Sequence, residues 1–345
     1  VLKKEPEVLT FYGTPVSIVD KCYTHIGVDQ APLKQSSIAI DERIKKGQDI
    51  NYMMQDVTKN SLLGISPLAN RNVFLCYHCP TYIYGTDTFH VNKTDLERLE
   101  IKYRSELKRM LALPSHTPSC IIYLMIGILP ATAIRDLGIL GLLGQVAMCM
   151  EDQQYVTNII RNNLEDYNPS FGGWSSLARK TTEKYSLPDP SLYLSHPWIP
   201  HRWRKHCKSI IISTWDKKLR EEADTKETLQ FIDTSTLSTS KPHRIYEYAG
   251  LDSNNVRKCT AQIWFLVGAY HTNELLHKMG KLRSNLCLTC QTVDNIPHVL
   301  LYCHQFSEIR QKFIMDITNL NTKLSKYSDD ENITIITFLD PESPS

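Results

Sequence analysis

The stretch Thr94-Asp-Leu-Glu-Arg-Leu-Glu-Ile-Lys-Tyr-Arg-Ser-Glu-Leu-Lys-Arg-Met-Leu111 decides the fold class. Leu96, Leu99, Tyr103, Leu107 and Met110 recur at three- and four-residue steps, with Leu111 beside them. That spacing gathers them on one face of a helix and leaves the charges on the other. Thr94-Asp-Leu-Glu97 reads as a capping box that opens this helix, and Pro114 ends it. The same grammar extends in both directions. Ser66-Pro67, Thr117-Pro118 and Pro130 are helix starts. Ile40, Ile44, Met54, Val57 and Leu62 continue the helical pattern between Ser36 and Leu63, where Gly64 closes it. Residues 8–28 differ: Val8-Leu-Thr-Phe-Tyr12 and Pro15-Val-Ser-Ile-Val19 are β-branched and aromatic, punctuated by Gly13 and Gly27. The fold class expected is mainly α, with a short β segment at the N-terminus.

Beyond residue 165 the punctuation thickens. Asn168-Pro169, Gly172-Gly173, Pro188, Pro190, Pro197 and Pro200 predict a loop-rich linker over 166–200. Helical pattern returns over 201–232, Asp233 to Ser240 reads as a second linker, and a further helix is expected over 254–279. Residues 341–345 are expected to be disordered. The organisation expected is strands over 1–30, a helical bundle over 31–165, a loop-rich and basic helical connector over 166–240, and a basic helix, metal-binding module and tail over 241–345. The most apolar region, Cys120 to Met150, is split by Pro130 and by Arg135-Asp136 into runs shorter than the ~20 residues a membrane span needs. It reads as buried helices, with Arg135-Asp136 as a helix-surface pair and no membrane partner.

Composition bounds the function. Lys plus Arg number 39 against 37 Asp plus Glu in 345 residues, a net charge of +2 that excludes a histone-like polycation or an acidic tail protein. The charges are nevertheless segregated. Residues 196–220 hold seven basic side chains against Asp216, and residues 241–283 hold seven against three acidic ones. Residues 316–345 hold six acidic side chains against Lys323 and Lys326. Within the first basic segment, His201-Arg-Trp-Arg-Lys-His206 interleaves an aromatic with cations, which suits phosphate contacts with stacking. Trp203 has two readings there, a stacking platform or a core anchor. The candidate nucleic-acid contacts are Arg202, Arg204, Lys205, Lys208, Lys241, Arg244, Arg257, Lys258, Lys278, Lys281 and Arg283.

The sharpest motif is Cys287-x2-Cys290-x7-His298-x4-Cys303. Three thiolates and an imidazole complete a tetrahedral zinc site, and with all four positions filled by protein such a site is structural. His304 is an alternative ligand that points elsewhere on the helix. Cys76-x2-Cys79 lacks a second ligand pair nearby and reads as core. The cysteine pattern fits a reducing, intracellular setting in nucleus or cytoplasm. Tyr327-Ser-Asp-Asp330 looks like a polymerase motif but has no upstream partner, and reads as coincidence.

Several of these segments together resemble the thumb and post-thumb region of non-LTR (LINE-like, jockey-like) retrotransposon reverse transcriptases. They are Leu62-Leu-Gly-Ile-Ser-Pro67, Tyr82-Ile-Tyr-Gly85, Leu96-Glu-Arg-Leu99, Met110-Leu-Ala-Leu-Pro114 with Thr117-Pro118, and Gly127-Ile-Leu-Pro130. His25-Ile-Gly-Val28 is similar to the end of that family's palm, and Cys287, Cys290, His298 and Cys303 with Arg310 match its C-terminal cysteine-histidine motif. Phe338-Leu-Asp-Pro341 looks like the end of such polyproteins. The resemblance implies palm edge, helical thumb, connector and zinc knuckle. It implies binding of template RNA and primer DNA, and association with the N-terminal polymerase part of the same element. The family's catalytic aspartates, which would need magnesium, precede this region. The chain alone is therefore expected to be inactive in DNA synthesis. The alternative is a helical protein–protein interaction scaffold derived from such an element, using the apolar 118–150 region.

Overall fold

A computed structural model describes residues 10–15, 23–30, 34–54, 65–148, 154–165, 173–250 and 252–320. The architecture is mainly α. Among the described residues strands are confined to two short antiparallel hairpins, β1 (Thr10–Phe11) with β2 (Thr14–Pro15) and β3 (Tyr23–His25) with β4 (Val28–Gln30). Each hairpin turns on two consecutive residues with positive φ, Tyr12-Gly13 and Ile26-Gly27, the geometry that matches strand twist in a two-residue turn. The second hairpin is pinned to helix α1 (Gln35–Met54): Arg43 donates to the Gly27 carbonyl at 2.5 Å and Gln35 to that of Asp29 at 2.6 Å. The β-like residues 8–9 and 16–19, the end of the expected first helix at 55–64, Tyr327-Ser-Asp-Asp330 and the tail at 341–345 lie outside the described residues.

Helix α2 (Pro67–Val73) starts as expected, with Ser66 Oγ accepting from Ala69 N. It runs through one π-helical turn, Phe74–His78, into α3 (Cys79–Ile83). Helix α4 (Lys93–Met110) buries Leu99, Tyr103, Leu107 and Met110, the stripe read from the sequence. Its cap is Asn92 rather than Thr94: the Asn92 side chain accepts from Asp95 N at 2.8 Å. Asp95 is then drawn inward, where it accepts from Ser36 Oγ and Ser37 Oγ at 2.8 and 2.9 Å and ties α4 to α1.

Helix α5 (Ser119–Ile126) is the centre of the molecule; every residue from Cys120 to Ile126 is buried. Its apolar side chains contribute about 1.5–3 kcal/mol each before ordering entropy is set against them. A buried helix must satisfy its terminal carbonyls within the protein. Arg71 of α2 does this, donating from Nε to the Ile126 carbonyl at 2.8 Å and from Nη2 to that of Gly127 at 2.9 Å, while His243 N donates to Met125 O at 2.7 Å. Gly127 stops the helix in the left-handed region, φ 66°, with the Lys241 backbone packed on it. Pro130 then launches α6 (Ala131–Met148), whose first amides donate to the Glu100 carboxylate at 3.3 and 3.0 Å. Opposite charges thus sit at the two helix ends that want them.

Arg135-Asp136 is not a surface pair. Both residues are buried: Arg135 donates to the Thr86 and Phe89 carbonyls, and Asp136 accepts from Tyr185 Oη at 2.8 Å and Lys184 Nζ at 2.6 Å. By length and composition α6 is apolar enough to cross a membrane, yet half of it is buried inside the protein. The helices that pack on it are α3, α4, α8 (Trp174–Lys184), α9 (Pro190–Ser195) and α10 (Pro200–Asp224).

The loop reading is corrected over 173–200, while 166–172, with Asn168-Pro169, lie outside the described residues. Over 173–200 the punctuation marks helix starts: Gly173 caps α8, Asp189 caps α9 ahead of Pro190, and Pro200 is the first residue of α10. Proline at a first helical position lacks only an amide that no helix would have used. α7 (Gln154–Glu165) completes this half. Helix α10 stops at Asp224, short of the expected 232. Residues 233–240 are not a slack linker but a strap: Asp216 of α10 accepts from Thr239 N and Oγ1 at 2.8 and 2.7 Å, and Leu237 is buried. The helix expected over 254–279 is broken into α12 (Ser253–Leu266) and α13 (Asn273–Lys278), after the short α11 (Ile245–Tyr248). Gly268, φ 63°, makes the break, and a Cβ there would lie 2.2 Å from Thr228 O.

Among the described residues two large hydrophobic cores result, with a small third cluster of Ile139, Leu177 and Ala178. The larger joins α1–α5, the second half of α10, α11 and α12; the smaller joins α6, α7, α9 and the first half of α10 around Trp203. Gly127→Ala should cost about 3 kcal/mol of unfolding free energy, because the added Cβ meets the Lys241 backbone at 2.1 Å in a left-handed conformation. Gly141→Ala, with open space around it, should change stability by less than about 1 kcal/mol. Chemical denaturation of both variants checks the pair.

His78 supplies a pH signature. It is fully buried, its Nε2 lies 2.7 Å from Asn51 Oδ1, and its Nδ1 has no partner. Burial, reinforced by the charge of Arg109, pushes it from 6.5 down to about 4. The unfolded chain therefore takes up this proton first. The neutral imidazole's contribution is complete above pH 6.5 and is lost as pH falls toward 4, to a total of about 3 kcal/mol. Denaturation between those pH values should show a slope that His78→Gln flattens; equal slopes would refute it.

Candidate metal centre and cationic surface

The C-terminal module is built around a turn. Leu286 and Val293 form an isolated antiparallel bridge, Cys287 N donates to Thr292 O at 2.8 Å, and Gln291 N donates to Cys287 O at 2.9 Å. Gln291 takes the left-handed conformation, φ 56°, that reverses the chain right after Cys290. This places the two sulfurs of Cys-x2-Cys on one side. His298 and Cys303 come from the facing segment. In an α-helix five residues advance ~500°, which would leave them about 140° apart. Instead His298–Tyr302 is a single π-helical turn, closed by Cys303 N donating to His298 O at 2.7 Å. The wider turn returns the second ligand to the face of the first.

The four donor atoms of Cys287, Cys290, His298 and Cys303 lie within 4.8 Å of one another. Cys303 Sγ is 3.9 Å from both Cys287 Sγ and Cys290 Sγ. A tetrahedron with metal–sulfur bonds of ~2.3 Å has edges of ~3.8 Å, whereas a disulfide needs ~2 Å. The cysteines are free thiols at coordination spacing. His298 shows which nitrogen faces the centre: Nδ1 is 3.2 Å from Thr292 Oγ1, while Nε2 is buried with no hydrogen-bond partner. The Cys290 backbone amide, with help from His298, lowers the Cys287 thiol to about 7, and burial raises that of Cys303. The cluster can hold a metal ion. His304 stays outside it and is exposed; its amide donates to Cys290 Sγ at 3.4 Å.

Neighbouring residues fix this arrangement. Asn295 Oδ1 accepts from His298 N at 2.9 Å, and Arg310 of α14 (Ser307–Leu320) donates to the Leu300 and Cys303 carbonyls, both at 2.8 Å. Asp294 caps α13 through Asn273 N at 2.9 Å, and Ile296, Leu300 and Leu301 pack on the larger core. The module is therefore docked to the body. Thr292 escaped the sequence reading because a hydroxyl that orients an imidazole has no spacing of its own. Among the described residues this is the one Cys/His/Asp/Glu group at metal spacing. Cys76 and Cys79 do not join one: Cys76 is exposed, against the core reading, and Cys79 is buried, its thiol raised to about 11 by burial.

The predicted cationic residues fall on separate elements. Arg202, Arg204, Lys205 and Lys208 are exposed on the first two turns of α10. At ~100° per residue Arg202, Lys205 and Lys208 gather opposite Trp203 and Cys207, while Arg204 turns to the flank and lines the cleft near β4 and α3. Trp203 is the core anchor: it is 1% exposed, donates from Nε1 to Leu140 O at 2.7 Å and stacks on Tyr193. The aromatic beside these cations at the surface is Trp198, 47% exposed. Arg257 and Lys258 are exposed on α12, and Lys241 and Arg244 in the strap and just before α11. Lys278 pairs with Glu274 at 2.9 Å, so it offers less free charge than its neighbours Lys281 and Arg283. Comparison with family models, curated proteins and solved structures finds no match.

Elemental analysis of the purified chain should find one metal ion per molecule, falling to less than about a tenth in Cys290→Ser and in His298→Gln. Thr292→Ala should retain the ion with affinity about 10-fold weaker, read by chelator competition.

Proposed function

We propose that this chain is a zinc-stabilised nucleic-acid-binding body, the C-terminal part of a non-LTR retrotransposon reverse transcriptase that grips template RNA and primer DNA. One observation carries the reading. Arg202, Arg204, Lys205 and Lys208 stand exposed, and none forms an ion pair among the described residues. Rigidity comes from Trp203 beneath them, buried between α6 and α9. Cations on a preset helix meet phosphates without first breaking internal pairs, and such binding is sequence-tolerant and strongly salt-dependent. Zinc suits a centre of three thiolates and one imidazole, and with no open position it orients the terminal module rather than activating water. Under this reading the chain is a gripping surface, and synthesis belongs to the N-terminal part of the element.

The scaffold alternative needs an uncovered apolar surface over 118–150. Helix α5 is buried from Cys120 to Ile126, and α3, α8, α9 and α10 pack on α6, half of which is buried. Among the described residues that leaves less open apolar surface than the alternative calls for.

Filter binding of single-stranded RNA across a salt series tests the proposal. Wild-type affinity should fall linearly in log–log form. The quadruple alanine variant at Arg202, Arg204, Lys205 and Lys208 should weaken binding at least about tenfold and flatten the slope by about 0.7 per lost contact. An affinity indifferent to salt would sink the reading. Primer extension by the purified chain should not exceed a metal-free blank.

A further inference from the structure

A second cationic feature sits away from α10. A cleft of about 790 Å³ near β4 and α3 is largely apolar, but the cleft between α4 and the end of α12, about 780 Å³, has another character. Arg104 and Lys108 line it from α4, one turn apart, and Trp264 and His271 from the opposite side. No acidic side chain lines it. The walls are fixed. Trp264 Nε1 donates to Ala112 O at 2.9 Å, and Lys108 Nζ donates to the Ser115 and Thr117 carbonyls at 2.7 and 2.6 Å. His271 packs between Trp264 and His116, with ring centroids 5.6 and 6.0 Å away.

Other positive groups stand close by: Arg109 also lines the cleft but pairs with Glu106 at 3.0 Å, and Lys281, outside the lining, lies near enough to His116 for its charge to act there. Among the described residues neither Arg104 nor Lys281 forms an ion pair. Burial lowers His116 below its ordinary value, and His271, Lys281 and Lys108 lower it further; burial and then Arg104 do the same to Lys108. Like charges held together in a partly desolvated cleft repel one another, and a bound anion removes that cost. The indole and imidazole beside the cations offer flat faces, which a polyphosphate or an acidic peptide would not use but a nucleotide would.

We propose that this cleft binds the backbone of single-stranded nucleic acid, with Arg104 and, at its rim, Lys281 on phosphates and Trp264 and His271 against sugar or base. The inference deepens the nucleic-acid reading and rests on it, but it names residues remote in sequence from the α10 cations.

The test uses the full zinc-loaded chain and a short fluorescent single-stranded RNA. Arg104→Glu with Lys281→Glu should weaken binding by about tenfold or more at fixed salt, with the thermal melt unchanged. Lys108 is left intact because its bonds hold the 115–117 loop. Independently of any variant, RNA carrying 4-thiouridine should photo-crosslink to peptides containing Trp264 or His271 in the wild-type chain. Wild-type binding with an unchanged double variant and no crosslink at these peptides overturns the cleft and leaves the α10 reading standing. A wild-type chain that binds no RNA overturns both. Competition by polyglutamate as effective as by unlabelled RNA overturns the assignment to nucleic acid.

Discussion

The bidentate grip of Arg71 on the last carbonyls of α5 is the interaction on which the rest of the structure depends. A helix with Cys120 through Ile126 all buried has no water to receive its C-terminal carbonyls. Leaving even one unpaired would cost about 1–3 kcal/mol. Arg71 takes two of them, and the backbone of His243 takes a third. The burial that makes α5 a good core also lowers the guanidinium's hold on its proton. The helix terminus, negative in its dipole, offsets that desolvation. Because Arg71 comes from α2 and His243 from the segment that follows the strap, one polar knot orders three parts of the chain at once. Gly127 is the residue that lets that segment come close enough to do it.

The same logic of satisfied ends recurs at the metal module. Its ligands lie on a turn and a π-helical turn, both weak elements on their own. What fixes them is a set of side-chain bonds to backbone groups: Asn295 to the His298 amide, Arg310 to two carbonyls, and Asp294 to the start of α13. The ligand sulfurs already sit at the spacing of a tetrahedral edge, so coordination closes an arrangement that the surrounding bonds have framed. The module then presents Lys281 and Arg283 at an exposed loop beside the larger core.

Much of this was legible in the sequence, and the failures share a cause. The α4 stripe, the Ser66 cap, the starts at Pro118 and Pro130 and the four metal ligands follow from spacing, which is local and survives folding. The errors came where a local signal has two meanings. Proline near residues 190 and 200 breaks a helix if it lies inside one but begins a helix if it lies at the first position, and only the packing of Tyr193 and Trp203 decides. Asn92 outcompeted Thr94 as a cap because Asp95 was needed by Ser36 and Ser37, 59 and 58 residues away. Arg135-Asp136 looked superficial because its partners Thr86, Phe89, Lys184 and Tyr185 are all distant in sequence. The basic cleft escaped for the same reason: its cations are ordinary on α4 and become a site only when α12 supplies the other wall.

Helix α10 is a 25-residue rod whose first half belongs to one core and whose second half belongs to the other. Neither core can melt alone without exposing half of a continuous helix, and a helix broken in the middle loses four hydrogen bonds and creates two new ends. The two cores should therefore exchange their amides as one cooperative block rather than as separate folding units. A load placed on the cationic turns at the N-terminal end of the rod reaches the strap at Thr239 through Asp216, along a single continuous stack of peptide hydrogen bonds.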